Sequence, residues 1–162
     1  MTFETGDKKL EKAIGKTFSG RKRTLATAES CTGGLLADRI TDIPGSSRYF
    51  KLGLIAYSNE SKNRLLDIPL ETIKKYGAVS KQVASLMAKN VRILARADYG
   101  IGISGILGPT GATDKKPVGL VYIAVSGRTK TVCKKFLFRG TRRLMKYKST
   151  RAALDMLLKE NA

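Results

Sequence analysis

Ser30, Cys31 and Thr32 stand side by side in "TLATAESCTGGLLADRI", residues 24–40, where a short apolar run gives way to a helix-like pattern. Each carries a group able to attack a carbonyl carbon. The chain has no histidine, so Ser-His-Asp and Cys-His catalysis lack their base and the zinc hydrolases lack their usual ligand. Proton transfer must then fall to Lys, Tyr, Asp or Glu, with lysine foremost. The two cysteines, Cys31 and Cys133, fit neither a disulfide framework nor a ligand spacing. No metal and no cofactor are expected, and Cys133, within a strand-like run, reads as a small apolar residue.

A helix beginning just after Glu29 would leave the amides of Ser30 to Gly34 without partners inside it, and these donors favour an oxyanion. Gly33 and Gly34 would admit close approach to that backbone, with the Ser30 hydroxyl at its mouth. Spacing alone equally allows Ser30 or Thr32 to be a helix cap and the glycines to serve packing. Cys31 is the rival nucleophile, because a thiol at a helix start ionises more readily. Neighbouring side chains on a helix point about 100° apart, so only one of the two faces a substrate.

The elements that must hold these residues alternate along the chain. Leu10, Ile14 and Phe18 make a helical stripe, "TLATA" a first strand aimed at Ser30, and Cys31 to about Ile40 a second helical stretch ended by "DIPGSS". "RYFKLGLIAYS" reads as a strand ending near Tyr57, followed by two short helices with Pro69 at a start and Gly77 at a stop. Ser80 caps a helix whose stripe is Val83, Met87, Val91 and Leu94. "ADYGIGISG" reads as a buried strand with glycines where another backbone comes close, and "GPTGATDKKPVG" as a loop. "LVYIAVSG" and "TVCKKFLF" form an antiparallel hairpin through "GRTK", and a helix from about Thr141 to Lys159 closes the chain. The order implies an α/β fold, a three-layer α/β/α sandwich with a mixed sheet. A single domain over residues 1–162 is expected, with its core at about 24–158.

The 162 residues suit one core. No apolar run is long enough to cross a bilayer and the first dozen residues hold no signal-peptide core, so a cytoplasmic protein without a membrane partner is expected. Thirty-one Lys and Arg against 13 Asp and Glu give a net charge of +18, which attracts polyanions. The basic residues are dispersed and no basic-aromatic motif accompanies them, which argues against specific nucleic-acid binding.

Three segments, "AESCTGGLLADRITDIPGSSRYFKLGLIAYSNESKNRLLDIP", "YGAVSKQVASLMA" and "GISGILGPTGATDKKPVGLVYIAV", resemble in order and spacing the CinA C-terminal domain family, whose active members are nicotinamide-nucleotide amidases of the PncC type. The resemblance runs from about Thr24 to Leu158. It implies hydrolysis of nicotinamide mononucleotide to nicotinic acid mononucleotide and ammonia, in pyridine-nucleotide salvage, by a stand-alone form of the domain. It marks Ser30 as nucleophile and Tyr57 and Lys62 of "YSNESK" as its catalytic companions. Chemistry fits that assignment, because a neutral Lys62 could deprotonate Ser30, Tyr57 could relay or position the proton, and amides near Thr32 and Gly33 could hold the oxyanion.

"GILGPTGATDKKPVG" is expected to form the second wall, with Gly105, Gly108 and Gly111 bringing amides to the nucleotide and Thr110 meeting its ribose or phosphate. The same glycines would also serve a connection that only turns. The chain departs from the family at Leu107, usually a small residue, at Thr110, commonly acidic, and at Lys146, often an arginine, where the phosphate contact would keep its charge and lose its fork. The expected partners are a small-molecule nucleotide substrate and further copies of the chain in a homo-oligomer. Two other functions stand beside the amidase: a catalytically silent binding or assembly domain, and a nucleic-acid-associated module. The intact Ser30, Tyr57 and Lys62 favour the amidase.

Overall fold

The computed structural model describes residues 8–161; Gly6 and Asp7, at the head of the first predicted helical stretch, lie outside them, as do the other terminal residues. In chain order the elements are α1 (Lys9–Gly20), β1 (Leu25–Glu29), α2 (Leu35–Thr41), β2 (Phe50–Ile55), α3 (Asn59–Leu66), α4 (Leu70–Tyr76), α5 (Lys81–Leu94), β3 (Tyr99–Gly105), β4 (Leu120–Ser126), β5 (Thr131–Leu137) and α6 (Arg142–Glu160). The strands form one mixed sheet in the order β2-β1-β3-β4-β5. β1 runs parallel to both β2 and β3, and the β3-β4-β5 pairings are antiparallel. The predicted α/β sandwich and late hairpin are both present.

Each face of the sheet is closed by its own helices. On one side α1, α2 and α6 bury Ile14, Phe18, Leu36, Ile40, Leu154 and Leu157 against β3 and β4. On the other, Val83, Met87 and Val91 of α5 pack with Leu66, Ile68 and Ile73 of the α3–α4 region over β1. α5 lies almost on the backbone of β3: a Cβ on Gly100 or Gly102 would sit 2.1 or 2.3 Å from the carbonyl oxygens of Ala88 and Ala84. Only glycine permits that approach. Leu94, predicted to continue the α5 stripe, is 56% exposed instead, because the last turn has passed the edge of the packed surface.

A second correction bears on function. The helix after β1 starts at Leu35, not at Cys31, because Gly33 (φ +62°) and Gly34 (φ +97°) take left-handed conformations that no helix continues through. Residues 31–34 form a turn that carries Ser30, Cys31 and Thr32 out beyond the sheet. From β1 the chain crosses through α2 to β2 on one side, then through α3–α5 to β3 on the other. The crevice at the carboxyl ends of β1 and β3 is therefore a topological switch point, where open α/β sheets place ligands.

Candidate active site

Lys62 is the least expected buried residue of the molecule. Ser58 caps α3, its hydroxyl accepting from the Ser61 amide at 2.9 Å, and Lys62 follows one turn later on the inner side, 1% exposed. Its Nζ lies 3.1 Å from Ser30 Oγ, 2.8 Å from the Ala56 carbonyl oxygen, 3.0 Å from that of Tyr57 and 3.4 Å from that of Ser58. No carboxylate pairs with it among the described residues. Burial pushes its pKa down from 10.5 to about 8. A neutral amine has two N–H donors and one lone pair. The two nearest carbonyls can take the donors, which leaves the lone pair for the Ser30 hydroxyl proton.

The turn that presents Ser30 is tied down by its neighbour. Glu29, buried at the end of β1, accepts from the amides of Gly34 (3.1 Å) and Leu36 (3.0 Å) through one oxygen and from Ala37 (2.9 Å) through the other. A carboxylate of the chain itself thus fills the start of α2. The Gly33 amide donates to the Ser30 carbonyl at 3.1 Å. The expected row of oxyanion donors from Ser30 to Gly34 is corrected accordingly: the amides of Gly33 and Gly34 are taken, and that of Ser30 donates to the Ile103 carbonyl on β3 at 3.0 Å. Among the described residues the amides of Cys31 and Thr32 donate to no other residue, which leaves them as the uncommitted donors of this turn.

Cys31 faces inward. Its thiol belongs to the core cluster of the α1–α2–α6 side, and a Cβ on Gly105 would stand 3.0 Å from its sulfur. Burial pushes the thiol up to about 12, so it carries no thiolate near neutrality. Ser30 Oγ is the group in hydrogen-bond contact with Lys62, while the Cys31 thiol packs into the core cluster, although Cys31 also borders the space that Ser30 and Lys62 share.

Ser30 and Lys62 open into a cleft of about 480 Å³ whose far wall is the loop after β3, including Gly105, Gly108, Thr110 and Gly111. Gly108 and Gly111 have positive φ. Gly105 is confined by packing, since a Cβ there would also meet Val121 at 2.7 Å. The Tyr57 side chain, 60% exposed, stands on the rim. Its carbonyl holds Lys62, while its hydroxyl accepts from Arg142 Nη2 at 3.2 Å; it has no hydrogen bond to Ser30 or Lys62.

Arg142 was not singled out in the sequence. It is the first residue of α6, donates to the Gly108 carbonyl as well as to Tyr57, and lines both this cleft and a neighbouring cavity of about 650 Å³. Lys146 belongs to that second cavity, with Thr32, Gly33, Gly34 and Arg143, and does not line the cleft of Ser30. The Thr32 hydroxyl is buried there without a partner. A signal was present in "TRRLMK": Arg142 and Arg143 open a helix with no acid in its first turn, where cations oppose the helix dipole. Among the described residues no three Cys, Asp or Glu side chains converge as a metal site would require.

Comparisons with known proteins agree with this architecture. The model of the CinA C-terminal domain family matches residues 7–161. The chain is 45% identical over 155 residues to a putative competence-damage inducible protein of Caldanaerobacter subterraneus subsp. tengcongensis, covering 96% of this chain and 38% of that protein. It is 47% identical over 158 residues to a CinA-like protein of Koribacter versatilis, covering 98% and 38%. It therefore spans well under half the length of these relatives. The crystal structure of the competence/damage inducible protein CihA from Agrobacterium tumefaciens superposes with a TM-score of 0.95 at 35% identity over 100% of both chains. That of the competence damage-inducible protein A from Klebsiella pneumoniae gives 0.91 at 32% identity, over 94% of this chain and 95% of the other.

Proposed function

The chain belongs to the CinA C-terminal domain family, and on that premise we propose that it hydrolyses the carboxamide of nicotinamide mononucleotide to nicotinic acid mononucleotide and ammonia. One observation carries the reading: Ser30 Oγ within 3.1 Å of a buried lysine amine that has carbonyls and, among the described residues, no carboxylate for company. Lys62 Nζ, neutral, takes the Ser30 proton as Oγ attacks the carboxamide carbon. The amides of Cys31 and Thr32 receive the oxyanion. The proton passes from Lys62 to the departing nitrogen, ammonia leaves, and an ester on Ser30 remains. Water, deprotonated by Lys62, cleaves that ester, and the proton returns to Ser30 Oγ as the carboxylate product forms.

The nucleotide's other end has a match in the neighbouring cavity. Arg142 borders both spaces, and Lys146 with the buried Thr32 hydroxyl supplies a cation and a hydrogen bond for the phosphate. Tyr57 acts in this reading as a positioning residue, its carbonyl fixing Lys62 and its phenol fixing Arg142. Incubation of the purified chain with nicotinamide mononucleotide and a chelator tests the proposal. Ammonia and nicotinic acid mononucleotide should accumulate in equal amounts, and Ser30→Ala should stop both. Ammonia no higher than in a heat-treated control contradicts it.

A further inference from the structure

We propose that the opposite end of the sheet carries a second ligand site, for a phosphate-bearing small molecule with a planar ring. A cavity of about 450 Å³ opens there between the α1–β1 connection, the start of β3, the β4–β5 hairpin and the end of α6. It shares no lining residue with the Ser30 cleft, from which the five residues of β1 separate it by on the order of 15 Å. Its volume lies within the range of small-molecule pockets.

The charge of its walls points to an anion. Arg21, Lys22, Arg23, Arg128 and Lys130 all line it, against two acids, Asp98 and Glu160. Both acids are already engaged. Asp98 pairs with Arg128 at 2.7 Å and accepts from the Thr24 amide and hydroxyl at 2.9 and 3.0 Å, and Glu160 pairs with Lys130 at 2.6 Å. Arg21, Lys22 and Arg23 have no carboxylate partner among the described residues.

Two of these three cations are held in place by neutral groups. Arg21 donates to the Asn161 backbone carbonyl, and Arg23 to the Asn161 side-chain oxygen and, at 3.0 Å, to the Tyr99 hydroxyl. Neutral acceptors orient a guanidinium without cancelling its charge, so little ordering entropy opposes an incoming anion. Lys22 between them is exposed and, with φ +51°, turns the chain so that three consecutive cations border one cavity. Within a helix successive side chains would diverge by about 100°. A concave wall with an excess of one sign also focuses the field on whatever enters.

The ring requirement comes from Tyr99. It lines the cavity with the Arg23 guanidinium 5.7 Å from its centroid. Gly127 packs beside it, a Cβ there being only 3.4 Å from the ring. A tyrosine ring in the wall beside these cations suits a nucleotide better than inorganic phosphate.

Adenosine triphosphate is the probe, read by calorimetry and thermal shift at about 0.15 M salt, with adenosine and inorganic triphosphate as partial ligands. Lys22→Glu and Thr129→Glu alter exposed lining positions that hold no other element in place. Saturable binding is expected, weakened roughly tenfold or more by Lys22→Glu, which loses a charge-assisted hydrogen bond and adds a repulsion, and less by Thr129→Glu, which only adds the repulsion. Each partial ligand should bind more weakly than the whole, and Lys146→Glu, which reverses the cation of the cavity beside Ser30, should bind unchanged, which separates this site from the catalytic reading. Absence of saturable binding overturns the proposal, as does equal affinity in Lys22→Glu. Displacement of the probe by a short DNA duplex at the same salt also overturns it, because the patch would then serve nucleic acid.

Discussion

Arg39 and Lys62 are both buried cations, one in the helix layer on each side of the sheet, and their surroundings are opposite in kind. Arg39 of α2 meets the Glu11 carboxylate at 2.7 Å, donates to the Thr150 hydroxyl at 2.7 Å and stacks 4.5 Å from the Tyr147 ring centroid. Its charge is matched, and the pair ties α1, α2 and α6 together. Among the described residues the hydrogen bonds of Lys62 go to carbonyl oxygens and the Ser30 hydroxyl. Carbonyl dipoles return only part of the hydration a buried ammonium loses, so the amine gives up its proton near pH 8. The first arrangement keeps a charge; the second keeps one removable. In the proposed amidase the chemistry sits with the cation that has no counter-ion among the described residues.

Exchanging each cation should separate these roles, and the largest effect belongs to the catalytic side. Lys62→Arg keeps the charge and makes deprotonation inaccessible. Turnover of nicotinamide mononucleotide should fall by about 10³-fold or more, as when a member of a nucleophile–base unit is removed, and Ser30→Ala should do the same. Near-parental turnover in Lys62→Arg would merge the two cations into one structural class.

Next comes Arg39→Met, which leaves Glu11 buried without a partner. Chemical denaturation should show a loss of roughly 3–5 kcal/mol, while activity per folded molecule stays close to the parent's. A loss of activity at full stability would mean that Arg39 also serves the reaction.

The pH dependence follows from the depressed Lys62 pKa. Below about 8 the amine is protonated in both folded and unfolded chains, so folding bears the full desolvation penalty there; the penalty lifts as pH rises from about 8 toward 10.5. Activity has the same sign. Initial rates at low substrate should climb about tenfold per pH unit below that value and level off above it. A profile flat from pH 6 to 9, to the accuracy of roughly twofold that such assays give, would remove Lys62 as base.

The smallest effects are expected at two flanking residues. Cys31→Ala deletes a buried sulfur outside the reaction and should cost about 1 kcal/mol of stability with turnover within a few-fold. Tyr57→Phe loses only the exposed bond to Arg142 and should mainly raise KM, a few-fold. A large fall in kcat for Tyr57→Phe would restore the relay role.

Much of this arrangement was readable in the residues, for identifiable reasons. α5 announced itself through Ser80 and the Val83–Met87–Val91 stripe, and the hairpin through Gly127, because caps, stripes and turns are local. The Ser30–Lys62 contact spans 32 positions and no periodicity encodes it; only the resemblance joined "ESCTGG" to "YSNESK". The start of α2 is not legible because nothing local distinguishes a glycine pair inside a helix from Gly33 and Gly34, whose positive φ values delay it. The role of Glu29 depends on the same turn, its carboxylate occupying amides that a helix starting at Cys31 would leave open. Arg142 was missed because its partners, Tyr57 and Gly108, come from other elements.

The most direct test of the central claim is the titration of Lys62 itself, followed by NMR of its side-chain ¹³Cε in the intact chain with Lys62→Arg supplying the resonance assignment. The account predicts a midpoint near 8, the value burial imposes, for this one lysine. A midpoint at the ordinary 10.5 would mean that the amine stays charged beside Ser30, and the division between a structural and a chemical cation would fall.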